Sequence, residues 1–172
     1  MEKPMLDHKE KPITAEDSDI VITRVYNAPR PLVWKVWTDA VHLAQWWGPF
    51  GPKNTSAEID FRVGGEFRVL MKTPEGAIVP AVGVFLEIIE PERIVYEGDA
   101  AAPTACGCGL PPKARVTVLF DALKQQTRLT IETVFPDAGA LEAANAAGFS
   151  TSWNKTLDEM GPYLERLLED MT

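Results

Sequence analysis

Six bulky residues near the C-terminus, Phe149, Trp153, Leu157, Met160, Leu164 and Leu168, fall at i, i+4, i+8, i+11, i+15 and i+19. That spacing draws one continuous apolar stripe along a helix. Burying five such side chains at roughly 2 kcal/mol each gives about 10 kcal/mol before entropy. The sum is comparable to the whole net stability of a typical domain, about 5–15 kcal/mol. The helix therefore belongs to the core, and the rest of the chain must supply a large apolar surface to receive it.

The middle of the chain supplies one at a period of two. Ala57, Ile59 and Phe61 alternate with Glu58, Asp60 and Arg62, and Phe67, Val69 and Met71 follow after Gly64-Gly65. Thr73-Pro74-Glu75-Gly76 reads as a turn. The runs Val82, Val84, Leu86, Ile88 and then Ile94, Tyr96, Gly98 continue the pattern, as do Val116, Val118, Phe120 and finally Leu129, Ile131, Thr133. Sequential strands joined by short turns predict an antiparallel meander.

Before it, Asp19 to Tyr26 reads as a first strand with apolar residues on both faces, partly buried twice. Ala28-Pro29-Arg30-Pro31 then opens a helix with Leu32, Val33, Val36 and Trp37 on its apolar side. A second short helix, about Val41 to Trp47, stops at Gly48-Pro49. After the sheet, Asp137 is placed to cap a helix running to about Glu169, with a kink expected at Gly161-Pro162. The predicted architecture is α+β: a curved antiparallel sheet of about seven strands, two short helices and a long C-terminal helix gripped by the sheet. Residues 1–18, rich in Lys, Glu, Asp and Pro, read as a charged mobile tail, and residues 19–170 as one domain.

Charge and composition narrow the function. A net charge of -8 gives no basic face for phosphates, which argues against nucleic acid and against anionic membrane surfaces. No run approaches the ~18 apolar residues of a membrane span, and the N-terminus has no apolar leader core. Cys106 and Cys108 are too close to form a disulfide framework, so a reducing cytoplasm is expected. Their C-x-C spacing also lacks the further ligands that a zinc site needs, and no metal or other cofactor is expected.

Several local features admit two readings. Trp46-Trp47 either anchors the short helix or lines a cavity mouth and stacks on a ligand. Glu58, Asp60 and Arg62 form either a solvated outer face or a polar ligand site. His42 is either a surface residue or a general base at the cavity mouth. Gly64-Gly65-Glu66-Phe67 reads as a tight hairpin and not a nucleotide-cyclase signature. There is no G-x-S-x-G, and neither cysteine has a histidine near it in sequence.

Taken together, the order of elements resembles the START-like (Bet v 1-like) helix-grip superfamily. Within it the chain is similar to the family named after the activator of the 90-kDa heat-shock-protein ATPase. The residues that carry the resemblance are Ala28-Pro29, Val33-Trp34-Lys35-Val36-Trp37-Thr38-Asp39 and His42-Leu43-Ala44-Gln45-Trp46-Trp47-Gly48-Pro49. Glu58, Asp60, Arg62, Gly64-Gly65, Phe67-Arg68, Gly83-Val84-Phe85, Pro91-Glu92-Arg93 and Gly148-Phe149 extend it. Trp153, Leu157 and Tyr163-Leu164 close it. The resemblance implies a ligand-sized cavity and no particular reaction.

The leading expectation is thus a protein, monomeric or homodimeric, that binds a small apolar or amphipathic molecule between the sheet and the C-terminal helix, without recognisable catalytic machinery. The candidate lining residues are Trp46, Trp47, Phe61, Phe67, Met71, Val84, Tyr96, Val118, Ile131, Phe149, Trp153, Leu157 and Met160. An empty cavity of about 300 Å³ would cost several kcal/mol at roughly 24 cal/mol per Å³, so the space must be small, wet or occupied. The rival expectations are a START-like cyclase or hydrolase that acts by orienting its substrate, and an adaptor of co-chaperone type. The 172 residues leave no room for the larger N-terminal domain of the eukaryotic co-chaperones, which makes a chaperone partner secondary.

Overall fold

Every period-two run becomes a strand of one antiparallel sheet. The computed structural model describes residues 19–47, 51–99 and 113–171. The strands are β1 (Ile20–Tyr26), β2 (Thr55–Ile59), β3 (Glu66–Lys72), β4 (Ile78–Ile89), β5 (Arg93–Gly98), β6 (Arg115–Leu123) and β7 (Gln126–Val134). They lie in the order β1-β7-β6-β5-β4-β3-β2, a meander from β2 to β7 with the first strand returned to the far edge. The sheet is curled into a half-barrel. Its helices are α1 (Arg30–Thr38), α2 (Ala40–Trp46), α3 (Ala138–Ala146) and α4 (Phe149–Asp170), with a short 3-10 turn at Pro52–Asn54. This is the α+β helix-grip architecture expected from the sequence. The tail, Gly48-Pro49 and the Cys106–Cys108 loop lie outside the described residues.

Asp39 makes the corner between the first two helices. Its extended backbone ends α1, and its side chain accepts from the backbone N–H groups of Val41 and His42 to cap α2. Asp137 caps α3 in the expected way, accepting from Ala140 at 2.8 Å. The C-terminal segment is two helices and not one. Gly148 stands between them at φ 85, a left-handed conformation that breaks the helical path and that glycine adopts without steric cost. α4 continues as one helical element across Gly161-Pro162, where Pro162 withholds one N–H from the ladder.

The stripe is buried as the spacing demands. Phe149, Trp153, Leu157, Met160 and Leu164 are all buried, and Leu168 is packed on the edge of the core. Two strand assignments need correction. β1 is an edge strand buried on one face only, because Val21 and Val25 are exposed while Ile20, Ile22 and Arg24 turn inward. In β4, Val82 and Val84 lie on the outer face, since Gly83 pairs with inward Phe67 and Val84 with exposed Glu66. A bulge between Phe85 and Glu87 then reverses the phase, so that Ile88, opposite buried Ile94, joins the core.

Arg24 is held at the inner face by α4. It forms an ion pair with Asp158 at 2.7 Å and donates to the Asn154 carbonyl and side-chain oxygens. Beside it, the Tyr26 hydroxyl donates to the Leu157 carbonyl at 2.7 Å. These bonds pin the middle of α4 to the sheet edge. Among the described residues, no helix is long and apolar enough to cross a membrane.

Candidate functional site

The two short helices bring four indoles together. Trp46 is spent on structure: its Nε1 donates to the Val36 carbonyl at 2.9 Å and ties α2 back onto α1. Trp34 packs edge-on against Phe120 and Phe61 beneath α1. Trp37 and Trp47 meet at 6.0 Å, and Trp153 of α4 stacks on Trp37 and edges onto Trp47. The Trp47 carbonyl accepts from the Thr55 hydroxyl, which fixes the end of α2 at the start of β2.

Under this cluster lies a pocket lined by Trp37, Leu43, Trp47, Ile59, Phe67, Phe85, Ile94 and Tyr96. Its cavity volume is about 20 Å³, room for about one water molecule. One wall is the helix pair and the other is the inner face of β2 to β5. α4 contributes no side chain to this pocket; its Trp153 stands against two of the liners, Trp37 and Trp47.

Of the candidates read from the sequence, Trp47, Phe67 and Tyr96 line this pocket. Phe61 borders it through an edge-to-face contact with Phe85 at 5.2 Å. Met71, Val118, Ile131, Phe149, Leu157 and Met160 are fully buried in the surrounding core, and Trp46 is fully buried on its structural bond. Val84 lies on the outer face, where β4 alternation places it before the bulge. The liners that sequence reading passed over are Trp37, Leu43, Ile59, Phe85 and Ile94. All five sit on the apolar sides of their elements, but nothing in a periodicity says which two surfaces leave a gap between them.

No liner is charged, and two of them carry a buried polar atom without a partner among the described residues, the Trp37 indole N–H and the Tyr96 hydroxyl. Burial pushes the Tyr96 phenol far above its ordinary range, so it stays protonated. The Phe67 ring owes its place over the sheet to Gly83: a Cβ there would lie 2.7 Å from the ring and 2.9 Å from the Glu97 carbonyl.

Outside the pocket, His42 is half-buried and its Nδ1 lies 2.6 Å from the Tyr163 hydroxyl, linking α2 to α4. Burial raises the Tyr163 phenol, Arg166 over its ring opposes that, and Asp39 adds to it. Asp60 and Arg62 form an exposed ion pair at 2.9 Å, and Glu58 stands across from Arg68, so that strand face is a solvated one. No cluster of three metal-binding side chains occurs among the described residues.

The fold and the site define a helix-grip domain with an aromatic pocket under its short helices. The chain belongs to the family described as Activator of Hsp90 ATPase homolog 1-like protein, whose pattern matches residues 27–165. No curated protein matches the chain. Among solved structures, a protein of Nitrosomonas europaea is 27% identical, with TM-score 0.71 over 92% of this chain and 98% of that one. One from Arthrobacter aurescens has TM-score 0.73 at 22% identity over 90% of each chain. An AHSA1-like protein of Aeromonas hydrophila has TM-score 0.59 at 20% identity over 86% of this chain and 94% of its own. These are likenesses of fold.

Proposed function

We propose that the domain binds a small, predominantly apolar molecule under the α1–α2 pair. The observation that supports this best is the composition of the pocket wall. Eight aliphatic and aromatic side chains converge there with no carboxylate, histidine, lysine or arginine among them. That is the lining of a binding site for a neutral molecule. It offers no acid or base beyond the Tyr96 hydroxyl, which burial holds protonated, so binding is favoured over an orienting enzyme.

A cavity of about 20 Å³ is a closed state. Admission of a ligand requires α1 and α2 to lift, carrying Trp37, Leu43 and Trp47 with them. Helices of 9 and 7 residues are marginal alone and depend on these contacts for their order. The sheet side of the pocket is hydrogen-bonded strand and stays in place. Native mass spectrometry of protein purified from cells, followed by melting curves against small aromatic and alicyclic compounds, tests the reading. A retained or added mass with a raised Tm is expected; at a ligand concentration of about 100 Kd the gain is roughly 2.7 kcal/mol. Bare protein masses and unmoved melting across the panel would count against it.

A further inference from the structure

From the two unpartnered polar atoms that the pocket liners Trp37 and Tyr96 carry, we infer that the ligand is a neutral molecule with an apolar body and at least one oxygen acceptor, such as a ketone, lactone or ether. This rests on the binding reading above and narrows its chemistry. The indole N–H of Trp37 is a donor only, so nothing but an acceptor satisfies it. The hydroxyl of Tyr96 donates or accepts, so a second oxygen, or the same one, serves it as well. Both atoms are buried and neither has a hydrogen-bond partner among the described residues, while the Trp46 indole of the same corner donates to a backbone carbonyl. Leaving a buried polar group unpaired is costly, and an acceptor in the pocket recovers much of that cost.

The same wall excludes an ion. With no cation among its lining side chains, a carboxylate would lose its hydration and gain no counter-charge. A pure hydrocarbon would fill the space and leave the indole unpaired. Discrimination by an unmet hydrogen bond is the stronger kind, since it penalises the analogue that lacks the partner atom.

The experiment compares acetophenone, cumene and benzoate, three probes of similar size, by ¹H–¹⁵N NMR titration of the full chain. The Trp37 indole resonance is assigned by its disappearance in Trp37→Phe. The expected result is a downfield shift of that resonance with acetophenone and about tenfold tighter binding of acetophenone than of cumene, the size of one net hydrogen bond. Benzoate is expected to bind weakest. Trp37→Phe should narrow the gap between acetophenone and cumene to what the Tyr96 hydroxyl sustains, and Tyr96→Phe gives a second variant should Trp37→Phe fail to fold. If acetophenone and cumene bind alike to the wild type with the indole resonance unmoved, the acceptor inference is overturned. The N–H is then satisfied by the neighbouring ring faces, and the binding reading survives. If no probe binds, the binding reading itself falls.

Discussion

The indole of Trp153 lies nearly flat on that of Trp37, with centroids 6.0 Å apart and planes inclined by 20°. Through this stack and the edge contact of Trp153 with Trp47, the C-terminal helix reaches the pocket without lining it. The α4 stripe holds the fold, and the pocket belongs to the helices that the stack supports.

Trp153→Ala should therefore cost stability and loosen the pocket together. A loss of about 3–5 kcal/mol is expected from denaturant midpoints, the usual range for deleting a buried tryptophan. Faster amide exchange in α1 and α2 should accompany it. Destabilisation with unchanged exchange in those helices would show that the stack does not support them.

Gly83 is required by the ring above it. Gly83→Ala brings a methyl to 2.7 Å from Phe67 and 2.9 Å from the Glu97 carbonyl. Overpacking of this kind costs about 1–3 kcal/mol. Phe67→Leu in the same chain should restore part of that loss, because the ring yields more easily than the backbone. A neutral Gly83→Ala in urea denaturation would contradict the packing described.

Buried tyrosines set the alkaline limit. Burial raises the phenols of Tyr26 and Tyr96 well above the ordinary 10.0, and at Tyr26 the cation of Arg24 offsets this while Asp158 reinforces it. The folded chain keeps both protons where the unfolded chain loses them. Stability is thus full below about pH 10 and falls above it, by about 1.4 kcal/mol per pH unit for each tyrosine. Tyr96→Phe should flatten the fall in denaturant midpoints by one tyrosine's share; an equal slope in the variant would refute the assignment.

The bond between His42 and Tyr163 joins α2 to α4 at 2.6 Å. Tyr163→Phe and His42→Ala should be coupled in a double-mutant cycle by about 0.5–1.5 kcal/mol, the net worth of one hydrogen bond. Additive losses would mean that the two side chains are neighbours without an energetic link.

The periodicities were enough to place seven strands and the buried stripe, because each element has one wet face and one dry face. Glu58, Asp60 and Arg62 turn outward for that reason. Alternation fails where geometry adds a residue: the bulge at Phe85/Glu87 puts Val84 and Ile88 of one run on opposite faces, and no residue type announces it. Arg24 defeats the pattern from the other side, since its inward place depends on Asp158 and Asn154, 134 and 130 positions away. Gly148 was visible as a glycine, but only its φ of 85 shows that it divides two helices. The pocket was half legible. Trp47, Phe67 and Tyr96 are recognisable as inward aromatics, whereas Trp37 and Leu43 become liners because the short helices sit over β2 to β5 with a gap. Gaps follow from volumes and docking distances, which a pattern of polar and apolar letters does not carry.

The site of binding is tested most directly by intermolecular NOEs between a bound apolar probe such as cumene and assigned methyl groups. Cross-peaks to Leu43, Ile59 and Ile94 are expected, since these line the pocket beneath the short helices. Cross-peaks to Leu157 and Met160 of α4 instead, with none to Leu43, would contradict it and place the ligand between the sheet and α4.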